Sequence, residues 1–104
     1  MSKTKARSKV KTMPWDSATY LKTGKDIAHY LEAVFEDGDP SLVAAALGDV
    51  ARAKGMAQIA IETGLSREQL YRSFSENGNP TLKSTLAVMK ALGIDLSAKV
   101  HEVV

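Results

Sequence analysis

The sequence predicts an all-α domain of five short helices, closed by a short C-terminal strand and preceded by a disordered basic tail. Three observations carry this. Apolar residues recur at three- and four-residue spacings in runs bounded by glycine. Ser, Thr, Asp or Asn stands in front of several of those runs, where an oxygen side chain satisfies the first free backbone N–H groups. Only the stretch Ile94 to Val100 alternates apolar and polar residues with a period of two.

The first helix is expected from Thr23. Thr23-Gly24-Lys25-Asp26 has the form of a capping box with Asp at its fourth position. Ile27, Tyr30, Leu31, Val34 and Phe35 form its apolar stripe, and Asp37-Gly38 stops it. The second starts at Asp39-Pro40-Ser41-Leu42, Asp as cap and Pro in the first helical position, and runs to Lys54-Gly55. The third covers Met56 to Thr63 and ends at Gly64. The fourth begins at Ser66, with Gln69 completing a capping box, and ends near Asn77-Gly78. The fifth repeats the Asp39-Pro40 formula at Asn79-Pro80-Thr81-Leu82 and runs through Leu86 and Met89 to Leu92-Gly93. Residues 13–22, with Trp15, Tyr20 and Leu21, are expected to be an irregular segment packed on the body. The division is therefore a tail at 1–12 and a single domain at 13–104, centred on residues 56–93.

Composition narrows the function. The chain has 104 residues, 44% of them apolar, enough for one small core. It has no cysteine, which rules out disulfides and thiolate metal sites and fits a reducing, cytoplasmic setting. Its longest apolar run, Leu42 to Leu47, is far too short to span a bilayer. The net charge of +2 is divided unevenly. Lys3, Lys5, Arg7, Lys9 and Lys11 stand in the first twelve residues without an acid, leaving nine cations against twelve acids, a net −3, in the rest. A basic tail of this kind is either a solvated terminus or an arm that adds sequence-independent affinity for nucleic acid.

The break at Gly64 is the most informative local feature. Glycine tolerates the left-handed angle that ends a helix abruptly, and Ser66 caps the next helix at once. Ala60, one turn before the break, is small enough for the two helices to touch. This is the layout of a helix-turn-helix, whose second helix enters the major groove of DNA. Leu70 and Phe74 mark the buried side of that helix, so steps of about 100° place Glu68, Arg72 and Ser75 on its far side. Arg67 stands at the positive end of the helix dipole, which opposes a cation by a few tenths of a kcal/mol and points to an anionic partner beyond the tip.

Residues 56–93 resemble the Cro/C1-type helix-turn-helix of phage repressors and xenobiotic-response-element-type (XRE) regulators. The carrying residues are Ile59-Ala60, Gly64, Leu65-Ser66-Arg67, Leu70, Arg72, Asn77-Gly78, Asn79-Pro80-Thr81-Leu82 and Ala91-Leu92-Gly93. From about residue 15 to residue 99 the chain is similar to one subgroup, the addiction-module antidote proteins, and "EDGDP…AALGDVARAKGM" is the stretch that generic repressors lack. The resemblance implies a type II antitoxin. Such a protein silences a small basic toxin of the RelE/ParE/HigB-like class and represses its own operon by binding double-stranded operator DNA. It further implies base contacts from Arg67, Glu68, Tyr71 and Arg72, phosphate contacts from Gln58, Asn79, Thr81 and Lys83, and a place for Ser66 among the DNA-binding residues. Two departures stand out. Met56 replaces the Gln that many repressors have at the start of the third helix, and the loop before Asn77-Gly78 is one residue longer.

Other readings have less in the sequence to stand on. His29 and His101 lie on different elements, and no nucleophile–base set, paired buried carboxylates, phosphate loop or metal-ligand spacing occurs, so neither catalysis nor a cofactor is expected. Glu32, Glu36, Asp37 and Asp39 cluster around the end of the first helix. They form either an ordinary solvated face or, for Glu32, Glu36 and Asp37, the dock for a basic toxin, where opposite charge speeds encounter. A homodimer is expected because one helix-turn-helix covers few base pairs, and the Ile94–Val100 strand is either a cover for the chain's own core or a pairing element. The alternative function is a stand-alone XRE-type repressor with no toxin; the presence or absence of an adjacent gene for a small basic protein separates the two.

Overall fold

The computed structural model describes residues 23–101, and these form five helices and no strand. The basic stretch 1–12 and the stretch holding Trp15, Tyr20 and Leu21 lie outside the described residues. Helix α1 spans Gly24–Asp37; the Thr23 hydroxyl accepts from the Asp26 N–H at 3.0 Å. Helix α2 spans Pro40–Lys54, with the Asp39 carboxylate accepting from the Ser41 N–H at 3.1 Å and Pro40 opening the first turn. Helices α3, Met56–Thr63, and α4, Arg67–Ser73, follow, and α5 covers Leu82–Ala91.

Helix α2 is the axis of the fold: it touches each of the other four helices. Its sequence explains this. Ala44, Ala46, Gly48 and Ala51 are small enough to let neighbours approach, while Leu47 and Val50 fill the space between them. Around them close Ile27 and Leu31 of α1, Met56 and Ile59 of α3, Leu70 and Phe74 at α4, and Val88, Met89 and Leu92 at α5. Removing large apolar side chains such as these from water stabilises by ~1.5–3 kcal/mol each. Helix α4 depends on it most, because seven residues are too few for a helix to persist in water alone.

Three boundaries differ from the sequence expectation. Helix α4 stops at Ser73 rather than near Asn77, with Phe74 as its C-cap. The apolar spacing from Leu70 to Phe74 is helical, but the backbone then folds back into a turn in which the Gly78 N–H donates to the Ser75 carbonyl. Helix α5 starts at Leu82, capped by Thr81, whose hydroxyl accepts from the Ser84 N–H at 3.0 Å. Pro80 thus lies before the cap, and the Asp39-Pro40 formula is not repeated. Among the described residues, the alternating stretch Ile94–Val100 is not a strand. A strand exists only through a neighbouring ladder, and the described residues offer none.

Candidate nucleic-acid interface

The turn between α3 and α4 has the backbone its glycine requires. Gly64 sits at φ +78°, and its N–H closes α3 by donating to the Ala60 carbonyl at 2.9 Å. Leu65 packs half-buried on the core, and Ser66 opens α4 with a complete capping box. Its hydroxyl accepts from the Gln69 N–H, and the Gln69 side chain accepts from the Ser66 N–H, both at 3.0 Å. Leu70 and Phe74 then anchor the inner side of α4, 1% and 2% exposed.

That anchoring leaves Arg67, Glu68, Tyr71 and Arg72 on the solvent side, all four exposed. Neither arginine forms an ion pair within the described chain, so both guanidinium groups are open to an outside partner. Tyr71 offers a large aromatic face, 45% exposed, between them. The residues expected at phosphates are exposed as well, on elements that flank α4: Gln58 in the first turn of α3, Asn79, Thr81 and Lys83 at the start of α5. Helix α3 packs on both α4 and α5, which joins these elements into one unit.

Three of these side chains already have partners. The Gln58 amide donates to the Glu62 carboxylate at 2.7 Å. The Ser66 hydroxyl is used by the capping box, and the Thr81 hydroxyl caps α5 while donating to the Ser84 hydroxyl at 3.1 Å. Of these, Gln58 must exchange its partner to reach an outside group. Asn79, Lys83 and the two arginines are free of that exchange.

Glu32, Glu36 and Asp37 are exposed on the opposite segment of the chain, along α1. Glu32 and Glu36 line an open groove of about 1000 Å³ between α1 and residues 94–101, with Leu31 and Phe35 among its apolar lining. Asp37 is not part of that lining. Glu36 and Asp37 stand in the last turn of α1, with no basic residue beside them there. The negative end of the helix dipole opposes them by a few tenths of a kcal/mol each. Histidines 29 and 101 are exposed, and the described residues hold no cluster of three or more potential metal ligands. No helix among them is long and apolar enough to cross a membrane.

Two features of the frame are absent from the sequence expectation. Asp49, in the middle of α2, is 6% exposed; it accepts from the Tyr30 hydroxyl at 3.2 Å and pairs with the Arg52 guanidinium. This ties α1 to α2. Burial pushes the Asp49 carboxyl above the ordinary carboxylate range, with Arg52 and Tyr30 pulling in the opposite direction. The folded state therefore holds this proton more readily than the unfolded chain does. The contribution of Asp49 to stability is most favourable below the ordinary carboxylate pKa and declines as pH rises through the raised folded value. Urea unfolding of wild type and Asp49→Asn at a series of pH values should show the wild type losing stability relative to the variant across that interval. A difference independent of pH would mean that the pairing with Arg52 cancels the burial. The spacing of Asp49 and Arg52 was the available signal, but it is shared by countless exposed pairs.

The second feature is close backbone packing at two glycines. A Cβ on Gly48 would lie 2.1 Å from the Phe74 carbonyl oxygen, and one on Gly78 would lie 2.0 Å from that of Ser73. Both contacts fix where α4 ends. Gly48, alone in an alanine-rich helix, was the visible hint.

Comparison with known proteins gives the chain its relatives. A family model described as "probable addiction module antidote protein" matches residues 11–100. An uncharacterized protein of Haemophilus influenzae is 40% identical over 85 residues, covering 82% of this chain and 88% of the relative. No solved structure matches.

Proposed function

Because the chain belongs to the addiction module antidote family, we propose that it is the antitoxin of a type II module, with a basic toxin of the RelE/ParE/HigB-like class as partner and its own operator DNA as second ligand. Its α3–turn–α4 unit acts as a Cro/C1-type helix-turn-helix, as in XRE regulators. The observation that carries the DNA reading is the outer side of α4, where two arginines without ion-pair partners flank an exposed tyrosine on a helix pinned from beneath. Arg67 and Arg72 reach base edges, where an arginine matches the two acceptors of guanine. Glu68 and Tyr71 add contacts on the same side, and Ser66 holds the helix tip in position. Gln58, Asn79, Thr81 and Lys83 set the register on the phosphates.

The toxin docks on Glu32, Glu36 and Asp37. What supports this is the unbalanced acidic end of α1 beside a partly apolar groove, which favours a cationic, partly apolar partner. Regulation requires no catalysis by this chain. The protein acts as a homodimer in the cytoplasm, so that two copies of α4 meet two half-sites.

The tail at residues 1–12 joins the DNA contact as an unspecific arm. Each phosphate neutralised adds about −0.9 to the slope of log K against log salt. Deleting residues 1–12 should flatten that slope in gel-shift titrations with the operator while leaving the preferred sequence unchanged. An unchanged slope would take the tail off the DNA. No preference of the full chain for its upstream region over random DNA would contradict the operator reading as a whole.

A further inference from the structure

The groove between α1 and residues 94–101 is walled by apolar side chains that the described residues leave partly uncovered. Leu31 and Phe35 line its α1 wall, and Ile94, Leu96 and Val100 line the other. Leu96 is 64% and Val100 87% exposed. Glu32, Glu36 and Asp95 stand along the groove against one lysine, Lys99, which gives it a net charge of −2. An occupant of about 1000 Å³ of such space needs large apolar side chains flanked by cations.

The chain carries such a sequence directly ahead of α1. Met13, Trp15, Tyr20 and Leu21 lie between Lys11 and Lys22, with Asp16 the only acid from residue 11 to residue 22, a net +1. This stretch ends at the Thr23 cap, where α1 begins. Its reach is sufficient. The eight residues from Trp15 to Thr23 extend to ~26 Å, whereas Phe35, twelve residues along the helix, lies ~18 Å from the cap. Folded back along α1, the stretch can bring Trp15 level with Phe35 with length to spare. Lys11 is then carried toward Glu36 and Asp37, in the last turn of α1, which has no basic residue of its own. The family match begins at residue 11, twelve residues before the cap, so the shared domain includes this stretch and not the helices alone.

We propose that residues 11–22 of the same chain fill this groove as a strap, with the Trp15 indole against its apolar walls and Lys11 beside the acidic end of α1. The strap takes Leu96 and Val100 out of water, and its lysines offset the acids along the rim. Residues 1–10, with Lys3, Lys5, Arg7 and Lys9, stay free for the DNA arm. On the toxin reading given above, the strap also shields Glu32 and Glu36 until a basic partner displaces it. The strap itself needs neither toxin nor DNA.

Trp15 is the only tryptophan, so its fluorescence in the full chain reads the seat directly. In the wild type its emission should be blue-shifted from that of the urea-unfolded chain, and acrylamide should quench it several-fold less. Leu96→Asn/Val100→Asn makes one wall polar, and Glu32→Lys/Glu36→Lys sets cations on the other against Lys11 and Lys22. Each double variant should red-shift the emission and raise quenching toward the unfolded value. All four residues are exposed, so the helices should stand, which circular dichroism checks. Leu82→Asn, at an exposed position of α5 that does not line the groove, should leave Trp15 unchanged. A wild type quenched as readily as the unfolded chain would leave the groove to a second molecule and overturn the proposal. Groove variants that keep Trp15 shielded, or a Leu82→Asn shift as large as theirs, would overturn it as well.

Discussion

Gly48→Ala is expected to lower the melting temperature by ~10 °C or more. Alanine is the better helix former by ~1 kcal/mol, so in an open position the substitution would stabilise. Gly48 is not open: the new Cβ would stand 2.1 Å from the Phe74 carbonyl oxygen, and a backbone atom cannot swing aside as a side chain does. Either α2 and the end of α4 separate, or Phe74, which is 2% exposed, loses its seat in the core. Forcing such a contact apart costs about 3 kcal/mol, which outweighs the propensity gain. Gly64→Ala gives the contrast. Its Cβ would meet nothing within 4 Å, so only the left-handed backbone angle opposes it, at a cost of about 1 kcal/mol. Thermal melting followed by circular dichroism should rank wild type, Gly64→Ala and Gly48→Ala in falling order. An equal or higher melting temperature for Gly48→Ala would mean that α4 does not abut α2 as described.

That contrast also marks what could be seen in the sequence. Gly64 was legible because its neighbours gave it a role: a helical run before it, a capping serine two residues after it, and a single backbone shape that satisfies both. Caps at Thr23, Asp39 and Ser66 were legible for the same local reason, and all three side chains make the expected bond. The solvent side of α4 followed from Leu70 and Phe74 by helical geometry alone. Gly48 and Gly78 were opaque because what they accommodate, a carbonyl oxygen, is not encoded by any residue type. The buried Asp49 was opaque because burial is a property of the assembled helices rather than of the residue. The stop at Ser73 was missed because Phe74 continues the apolar period while its backbone has already left the helix. Thr81 took the cap from Asn79 because both residues suit that position and the choice is made by how the α4–α5 turn closes. Ile94–Val100 shows the same limit at a larger scale: alternation tells that a segment suits a ladder, not whether its partner lies in the same chain.

The second large effect concerns α4. Replacing both Arg67 and Arg72 with alanine should weaken operator binding by about a hundred-fold or more, since one good arginine–guanine pair is worth ~1–3 kcal/mol and a dimer loses both arginines twice. Both residues are exposed, and neither touches the core made by Leu70 and Phe74, so the fold should stand. Alanine is at least as good a helix former as arginine at these positions, which removes secondary structure as an explanation for the loss. Binding to unrelated DNA should fall much less than binding to the operator, because base contacts carry sequence preference and phosphate contacts do not. A variant that is folded and binds the operator as wild type does would remove α4 from the DNA interface.

The central claim is that two activities sit on two surfaces, DNA on the outer side of α4 and a basic toxin on the acidic end of α1. The most direct measurement pairs gel shift with rescue of cells expressing the neighbouring toxin, in two folded variants. Arg67→Ala/Arg72→Ala should lose the operator shift and still rescue growth. Glu32→Lys/Glu36→Lys/Asp37→Lys should shift the operator and fail to rescue. Loss of rescue in the arginine variant, with its circular dichroism spectrum unchanged, would place α4 in the toxin interface and contradict the separation of the two surfaces.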